Sequence, residues 1–313
     1  IMDIPKQTLG SLAMVILLFA GIILVYHWNS SFSNEFVLTV KEPLCKQSNL
    51  TTPNIEANGD GLDTALAKAS MGNKTVIIAV VNKAYVDQDV ESDTTMLDIF
   101  LDGVDFKGEK IYMSQDFIKM MWRRTFFLLE VLKRGYNFVF TDTDVMWLRN
   151  PFTRLSKNET EDLQISTDAY LGDPWLEKNP INTGFYFVRS NNKTISLFET
   201  WYGQKDKAIG KKEQDVLFNL IKSGIIKDLG LRVRFLNTLY FSGFCQDSKD
   251  FREVITVHAN CCRSITAKEV DLKAVLRDWK QFRRLEANST INTRWTMHNQ
   301  CRQSWGRPVK VKG

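Results

Sequence analysis

Tyr136-Asn137-Phe138-Val139-Phe140-Thr141-Asp142-Thr143-Asp144 is the stretch on which the fold turns. An apolar run this continuous, closed by two carboxylates, reads as a strand buried on both faces. The chain goes on through Val145-Met146-Trp147-Leu148-Arg149 and breaks at Asn150-Pro151. Open α/β sheets bind ligands at the carboxyl ends of their strands. Two carboxylates one residue apart at such an end can hold a hard divalent cation and leave positions for water and phosphate oxygens. A cation bridging a diphosphate also neutralises the charge that develops as that group departs. Alone, Asp-x-Asp is also a common solvated turn at a strand end. Its place behind a wholly apolar run favours the metal.

Outward from this strand the pattern alternates. Residues 75–82 form a buried strand with a polar end, and helices are expected over 93–101 and 114–134, the second stopped by Gly135. A further apolar strand covers 183–189, led by Asn182 and containing Gly184. Ile195, Phe198 and Tyr202 share one helical face, as do Val216, Leu217, Leu220 and Ile221. Residues 231–244 look extended, and 254–257 form a last short strand running into His258-Ala259-Asn260-Cys261-Cys262. Thr266 and Glu269 make a capping box for a final helix with Val270, Val275, Leu276, Trp279 and Phe282 on its apolar side. Strands alternating with helices predict a doubly wound, mostly parallel sheet.

The amino-terminal stretch 9–28 has no formally charged side chain. As a helix it would be ~30 Å long, enough for the hydrocarbon core of a bilayer. A cleaved signal peptide would have an apolar core of about 7–15 residues and a small-residue cleavage site, and neither fits well. The expected organisation is therefore a cytoplasmic stub and transmembrane signal anchor over 1–28 and a Ser/Asn/Thr-rich stem over 29–70. A globular domain over 71–286 and a basic, loosely ordered tail over 287–313 complete it. Asn29, Asn49, Asn73, Asn158, Asn192 and Asn288 each open an Asn-x-Ser/Thr triplet, which suits a lumenal body on a single-pass membrane protein.

Cys45, Cys245, Cys261, Cys262 and Cys301 lack the Cys-x-x-Cys spacing of a zinc site, so structural disulfides with one thiol left over are expected. The net charge of +5 is uneven: Lys273 to Gly313 holds 10 basic and 2 acidic residues, so that stretch carries +8 and the rest −3. A basic tail beside a slightly acidic domain argues against a nucleic-acid partner.

Several other residues fit a site at the Asp142 edge. His258 follows a strand, as Asp144 does, and a neutral imidazole there could complete a metal shell or simply bond at a strand end. Gln214-Asp215 opens a helix, where Asp215 could offset the dipole or face a sugar. Either Arg124 or Arg123, on the helix before the metal strand, could grip a diphosphate in a fork of donors. Asn182 to Gly184 could admit a substrate close to the backbone. Trp122, Trp147, Trp175 and Trp201 could stack on sugars, although core packing is the default for each.

These motifs resemble the signature of plant glycosyltransferase family 77 nucleotide-sugar transferases. The likeness rests on Asp142-Thr143-Asp144-Val145-Met146-Trp147-Leu148-Arg149-Asn150-Pro151-Phe152, with Lys119-Met120-Met121-Trp122-Arg123-Arg124, Arg234-Phe235-Leu236-Asn237-Thr238 and His258-Ala259-Asn260-Cys261-Cys262 in the family's order. It implies a GT-A-like fold, a type II Golgi protein with its domain in the lumen, a divalent metal (typically manganese) and a nucleotide-diphosphate sugar donor. It also implies retaining transfer of a pentose or galactose onto cell-wall glycans or glycoproteins. By the resemblance Asp142 and Asp144 match the metal and diphosphate motif, and His258 closes the metal site. Asn82 ends the nucleotide-facing strand, and Asp215 is an acidic position near the sugar. One departure is visible: family members place a further strand, with a histidine and a cysteine, before the stretch like Gly103-Val104-Asp105-Phe106, whereas here Leu101-Asp102 runs straight into it. An inactive, membrane-anchored scaffold of the same lineage is one alternative. A phosphatase of haloacid-dehalogenase type, with Asp142 as nucleophile, is the other, though no later Gly-Asp-x-x-x-Asp loop follows.

Overall fold

The computed structural model describes residues 61–80, 113–285 and 294–306. Asn82, the 9–28 stretch, Cys45, the predicted 93–101 helix and the junction at 101–103 lie outside the described residues. Among the described residues no helix is long and apolar enough to cross a membrane.

The described residues open with α1 (Gly61–Ala69), β1 (Thr75–Ala79), α2 (Gln115–Lys133), β2 (Asn137–Thr141) and β3 (Val145–Trp147). After a 3-10 turn at Pro151–Thr153 come β4 (Leu163–Thr167), β5 (Ile181–Val188), α3 (Asn192–Tyr202), α4 (Glu213–Lys222) and α5 (Ile225–Asp228). The remainder is β6 (Val233–Phe235), β7 (Phe241–Gly243), β8 (Thr256–His258), α6 (Ile265–Leu285) and α7 (Asn299–Ser304).

Five strands form one sheet in the order β1-β2-β5-β4-β6. β1 and β2 are parallel, as are β4 and β6, but β5 runs antiparallel to both its neighbours. The sheet is thus mixed rather than mostly parallel in its pairings. The reason is β4, which sequence reading passes over: β4 reaches β5 through residues 168–180, which hold no helix, and a strand pair joined without a crossover helix runs antiparallel. Three short strands form a second sheet in the order β3-β8-β7.

Both faces of the large sheet are covered. Phe138 and Phe140 of β2 and Tyr186 and Val188 of β5 pack against Trp122, Leu128 and Leu132 of α2 and Leu197 and Phe198 of α3. The alternate residues Val139, Phe185 and Phe187 pack against Val145, Phe241 and Ile255 of the small-sheet region. Two-sided burial explains why β2 and β5 read as continuous apolar runs. α2 begins where predicted, with the Ser114 hydroxyl accepting a bond from Phe117 N–H at 3.2 Å, and ends at Gly135, whose φ of 77° suits only glycine without strain.

The carboxyl-terminal region differs from expectation in two ways. α6 starts at Ile265, and its cap is Ser264, whose hydroxyl accepts from Ala267 N–H at 3.4 Å; Glu269 pairs with Lys273 instead of closing a box with Thr266. Residues 294–306 do not trail away either. Trp295 stacks on Phe251 and His298 on Phe244, each with ring centroids 3.7 Å apart. Disulfides Cys245–Cys261 and Cys262–Cys301 fasten the same region. The apolar rings and the second disulfide outweigh the local basic charge.

Candidate active site

Asp142 and Asp144 lie where the two sheets meet. Asp142 N–H donates to Gly184 O of β5 at 2.7 Å, and Ala259 N–H, just past β8, donates to Asp144 O at 3.0 Å. The triplet therefore joins one sheet to the other. This brings a ligand atom from each of Asp142, Asp144 and His258 within 4.8 Å of one another. His258 can approach because β5 has glycine at 184: a Cβ there would fall 2.9 Å from His258 Nδ1 and closer still to Cε1.

Each carboxylate has its own cation. Arg124, only 3% exposed, bonds Asp142 Oδ1 at 2.9 Å and Glu213 Oε1 at 2.5 Å, and its second nitrogen also reaches Thr183 Oγ1 at 3.3 Å. Lys268 Nζ of α6 bonds Asp144 Oδ2 at 2.7 Å, and His258 Nε2 lies 3.3 Å from Asp144 Oδ1. Burial pushes the Asp142 carboxyl up, and Asp144 adds to this against the pull of Arg124. Burial works the same way on Asp144, yet His258 and Lys268 outweigh it and hold that carboxyl well below the usual carboxylate range. Burial lowers the His258 imidazole, but the charge of Asp144 more than offsets this and raises it.

The predicted residues are partly gathered here. Gln214 joins through its Oε1, which accepts from Thr183 N–H at 3.1 Å. Asn182 Oδ1 accepts from Gly184 N–H at 2.8 Å, and its Nδ2 donates to Asp168 at 2.7 Å. Asp215 sits in the first turn of α4, its carboxyl raised by partial burial, and the bonds of the cluster stop at Gln214. Arg124, expected as a candidate for the diphosphate, meets Asp142, Glu213 and Thr183 through its two terminal nitrogens and so orients a carboxylate of the cluster. Trp122 and Trp201 are core residues, Trp147 packs edge-on against Phe185, and Trp175 lies under Arg232 and Arg234 at the surface.

Sequence reading misses Lys268, Glu213, Asp168 and Asn260. Asp168 had a signal, since Thr167-Asp168 closes β4 as Thr141-Asp142 closes β2. Asn260 donates to the same Asp168 oxygen at 2.8 Å. Two hard carboxylate oxygens and one imidazole nitrogen form a donor set that suits a divalent cation such as manganese. An arrangement of this kind at strand ends can hold an anionic ligand through a metal.

Several known proteins are similar to this chain in sequence. An uncharacterized protein of Arabidopsis thaliana is 49% identical over 289 positions, covering 79% of this chain and 84% of the relative. Those 289 positions exceed 79% of 313 residues, about 247, so the relative carries positions with no counterpart here. The UDP-galactose:fucoside alpha-3-galactosyltransferase of Dictyostelium discoideum is 30% identical over 122 residues, 36% of this chain and 19% of that protein. UDP-D-xylose:L-fucose alpha-1,3-D-xylosyltransferase 3 of Arabidopsis thaliana is 38% identical over 105 residues, 28% of this chain and 25% of that protein. The chain thus spans a quarter or less of the two named transferases. The profile of the nucleotide-diphospho-sugar transferases matches residues 73–272, from just before β1 into the first turns of α6 and including every member of the carboxylate–histidine cluster. This chain belongs to the nucleotide-diphospho-sugar transferase family.

Proposed function

We propose that the chain moves a sugar from a nucleotide-diphosphate donor to a hydroxyl of a cell-wall glycan or glycoprotein, with retention of configuration and with a divalent cation, manganese for preference. The observation that carries this reading is the meeting of Asp142, Asp144 and His258 at the joint of the two sheets. A cation held by these three would neutralise the charge on the departing diphosphate. The chain's own residues do the rest. Arg124 holds Asp142 in one orientation, Thr183 fixes the amide of Gln214, and Asp215, the next residue of α4, is the acid assigned to the charge that would develop on the sugar. The names of the two matched transferases support a UDP-linked donor and a choice between galactose and a pentose. Two disulfides support an oxidising compartment, in keeping with a Golgi lumenal domain on a single-pass anchor. A phosphatase reading is disfavoured, because its nucleophile would be Asp142, whose Oδ1 is held by a buried arginine.

Calorimetry on the purified full chain tests the proposal. UDP binding should require manganese and disappear in Asp144→Asn. Manganese-independent UDP binding, or an unchanged Asp144→Asn variant, would sink the donor-site reading. A folded chain that binds neither ligand would favour a scaffold.

A further inference from the structure

Asn73, Asn158 and Asn192 each open an Asn-x-Thr triplet among the described residues, and the fold treats the three differently. A transferase that glycosylates such a triplet reads the asparagine amide and the hydroxyl two residues on, so both must be reachable together. At Asn73 the hydroxyl belongs to Thr75, buried at the start of β1 beside Asn137. At Asn192 it belongs to Thr194, buried in the first turn of α3, where it donates to Arg189 O at 2.7 Å and accepts from Asn191 N–H at 3.1 Å. Asn158, Glu159 and Thr160, by contrast, are all exposed. Asn158 Oδ1 accepts from Thr160 N–H at 3.0 Å and from the Thr160 hydroxyl at 2.9 Å, which leaves Nδ2 without a partner among the described residues. Amide and hydroxyl thus stand side by side on an open turn. The turn is made locally: Asn158 N–H donates to Ser156 Oγ at 3.2 Å, and Glu161 N–H to Asn158 O at 3.1 Å. Such a turn forms from its own side chains and needs no sheet.

We propose that Asn158 carries an N-linked glycan, in preference to Asn73 and Asn192. The inference rests on the lumenal placement given above and adds a modification site to it. In the step, Asn158 Nδ2 forms a bond to the reducing-end carbon of an oligosaccharide carried on a lipid diphosphate. The bond from that carbon to the diphosphate oxygen breaks, its electron pair leaves with the lipid diphosphate, and the departing group takes the proton that Nδ2 gives up. The position suits a bulky, hydrated addition. The turn leads into β4, which starts at Leu163 and runs to Asp168 beside Asn182. Five residues of strand put about 17 Å between those two ends. β2 starts at the same end as β4, since Phe138 and Leu163 both pair with Val188. The glycan would therefore leave the sheet at the end away from Asp142, Asp144 and His258, and ligands could reach the cluster without crossing it.

The test uses the full chain made in a plant secretory pathway and stripped of glycans by an amidase in heavy-oxygen water, which turns each occupied asparagine into a labelled aspartate. Peptide mass spectrometry should find the label at Asn158 in most copies and little of it at Asn73 or Asn192. On a gel, Asn158→Gln and Thr160→Ala should each lose one glycan step, Thr160→Ser should keep it, and Asn192→Gln should match the parent. The label on the parent decides the matter even where a variant fails to fold. More label at Asn73 or Asn192 than at Asn158 overturns the proposal. So does a chain without label whose Cys245–Cys261 and Cys262–Cys301 bridges are formed, and in both cases the lumenal placement stands. A chain without label and with those cysteines as free thiols overturns the lumenal placement itself, and the glycan with it.

Discussion

In the five-stranded sheet, β2 buries three successive apolar positions and β5 four between helices on one side and the small-sheet region on the other: Phe138, Val139 and Phe140, and Phe185, Tyr186, Phe187 and Val188. In the three-stranded sheet each strand is three residues long. Its surroundings are held by two disulfides, by the stacked pairs Phe251–Trp295 and Phe244–His298, and by Arg149, which donates to the carbonyls of Phe251 and Val254. One region is kept by its core alone, and the other by a smaller core with staples added. The site takes Asp142 from the first and His258 from the second, so its geometry depends on two kinds of stabilisation at once.

The comparison can be broken at either sheet. Phe138→Ala should have the largest effect, about 3–5 kcal/mol in urea unfolding, because it opens a cavity against Tyr186 and Phe198. A smaller cost, with the helical signal surviving, would mean that the large sheet is not the common core. Next comes Cys262→Ser with Cys301→Ser. It should cost about 2–4 kcal/mol and raise hydrogen exchange across 294–306 while the amides of β2 and β5 stay protected. Uniform deprotection would show that the staples hold both sheets. Gly184→Ala acts at the joint: an overpacked Cβ against His258 should cost about 1–3 kcal/mol. Manganese affinity should fall with it, which a calorimetric titration reads directly, and an unaltered affinity would detach His258 from the metal.

The smallest effect concerns the edge of the large sheet. Glu161 is wholly buried beside Arg234, with contacts of 2.8 and 2.6 Å. Burial raises its carboxyl, but Arg234 outweighs this and leaves it below the ordinary glutamate value of 4.5. A carboxyl lowered in the folded state contributes its stability above pH 4.5, and loses it as pH falls through the folded value. Arg234→Gln should therefore be less stable than the parent by about 1 kcal/mol at neutral pH, with the gap closing in acid. A gap that does not narrow at any pH below 4.5 would rule out this source.

How much was legible follows from the same contrast. β2, β5 and α2 were readable because burial on both faces writes an unbroken apolar run and because Ser114 and Gly135 mark the helix ends. β4 was not, since Gln164, Ser166 and Thr167 are buried but polar. Gln164 bonds Ser156 twice, Ser166 donates to Asn182 O, and Thr167 donates to Leu236 O. Burial satisfied by hydrogen bonds leaves no hydrophobic trace. The direction of β5 was illegible because an apolar run reads alike both ways. At the site, Asp142 and Asp144 announced themselves by position. Lys268 and Glu213 could not, as their partners lie 124 and 89 residues away.

The reversal of β5 also sets a scale. Its two neighbours end in Thr141-Asp142 and Thr167-Asp168, and because β5 runs the other way it delivers its start, Asn182-Thr183-Gly184, between those two ends. The two ends are not level: Asp142 N–H bonds Gly184 O and Asp168 N–H bonds Pro180 O, so the aspartates stand on either side of β5 and are staggered along it, with an amide-bearing segment between. The edge becomes a graduated rule, acid, amide, acid, whose divisions are fixed by backbone pairing. A ligand laid along it would be measured for length before any one side chain judged its chemistry.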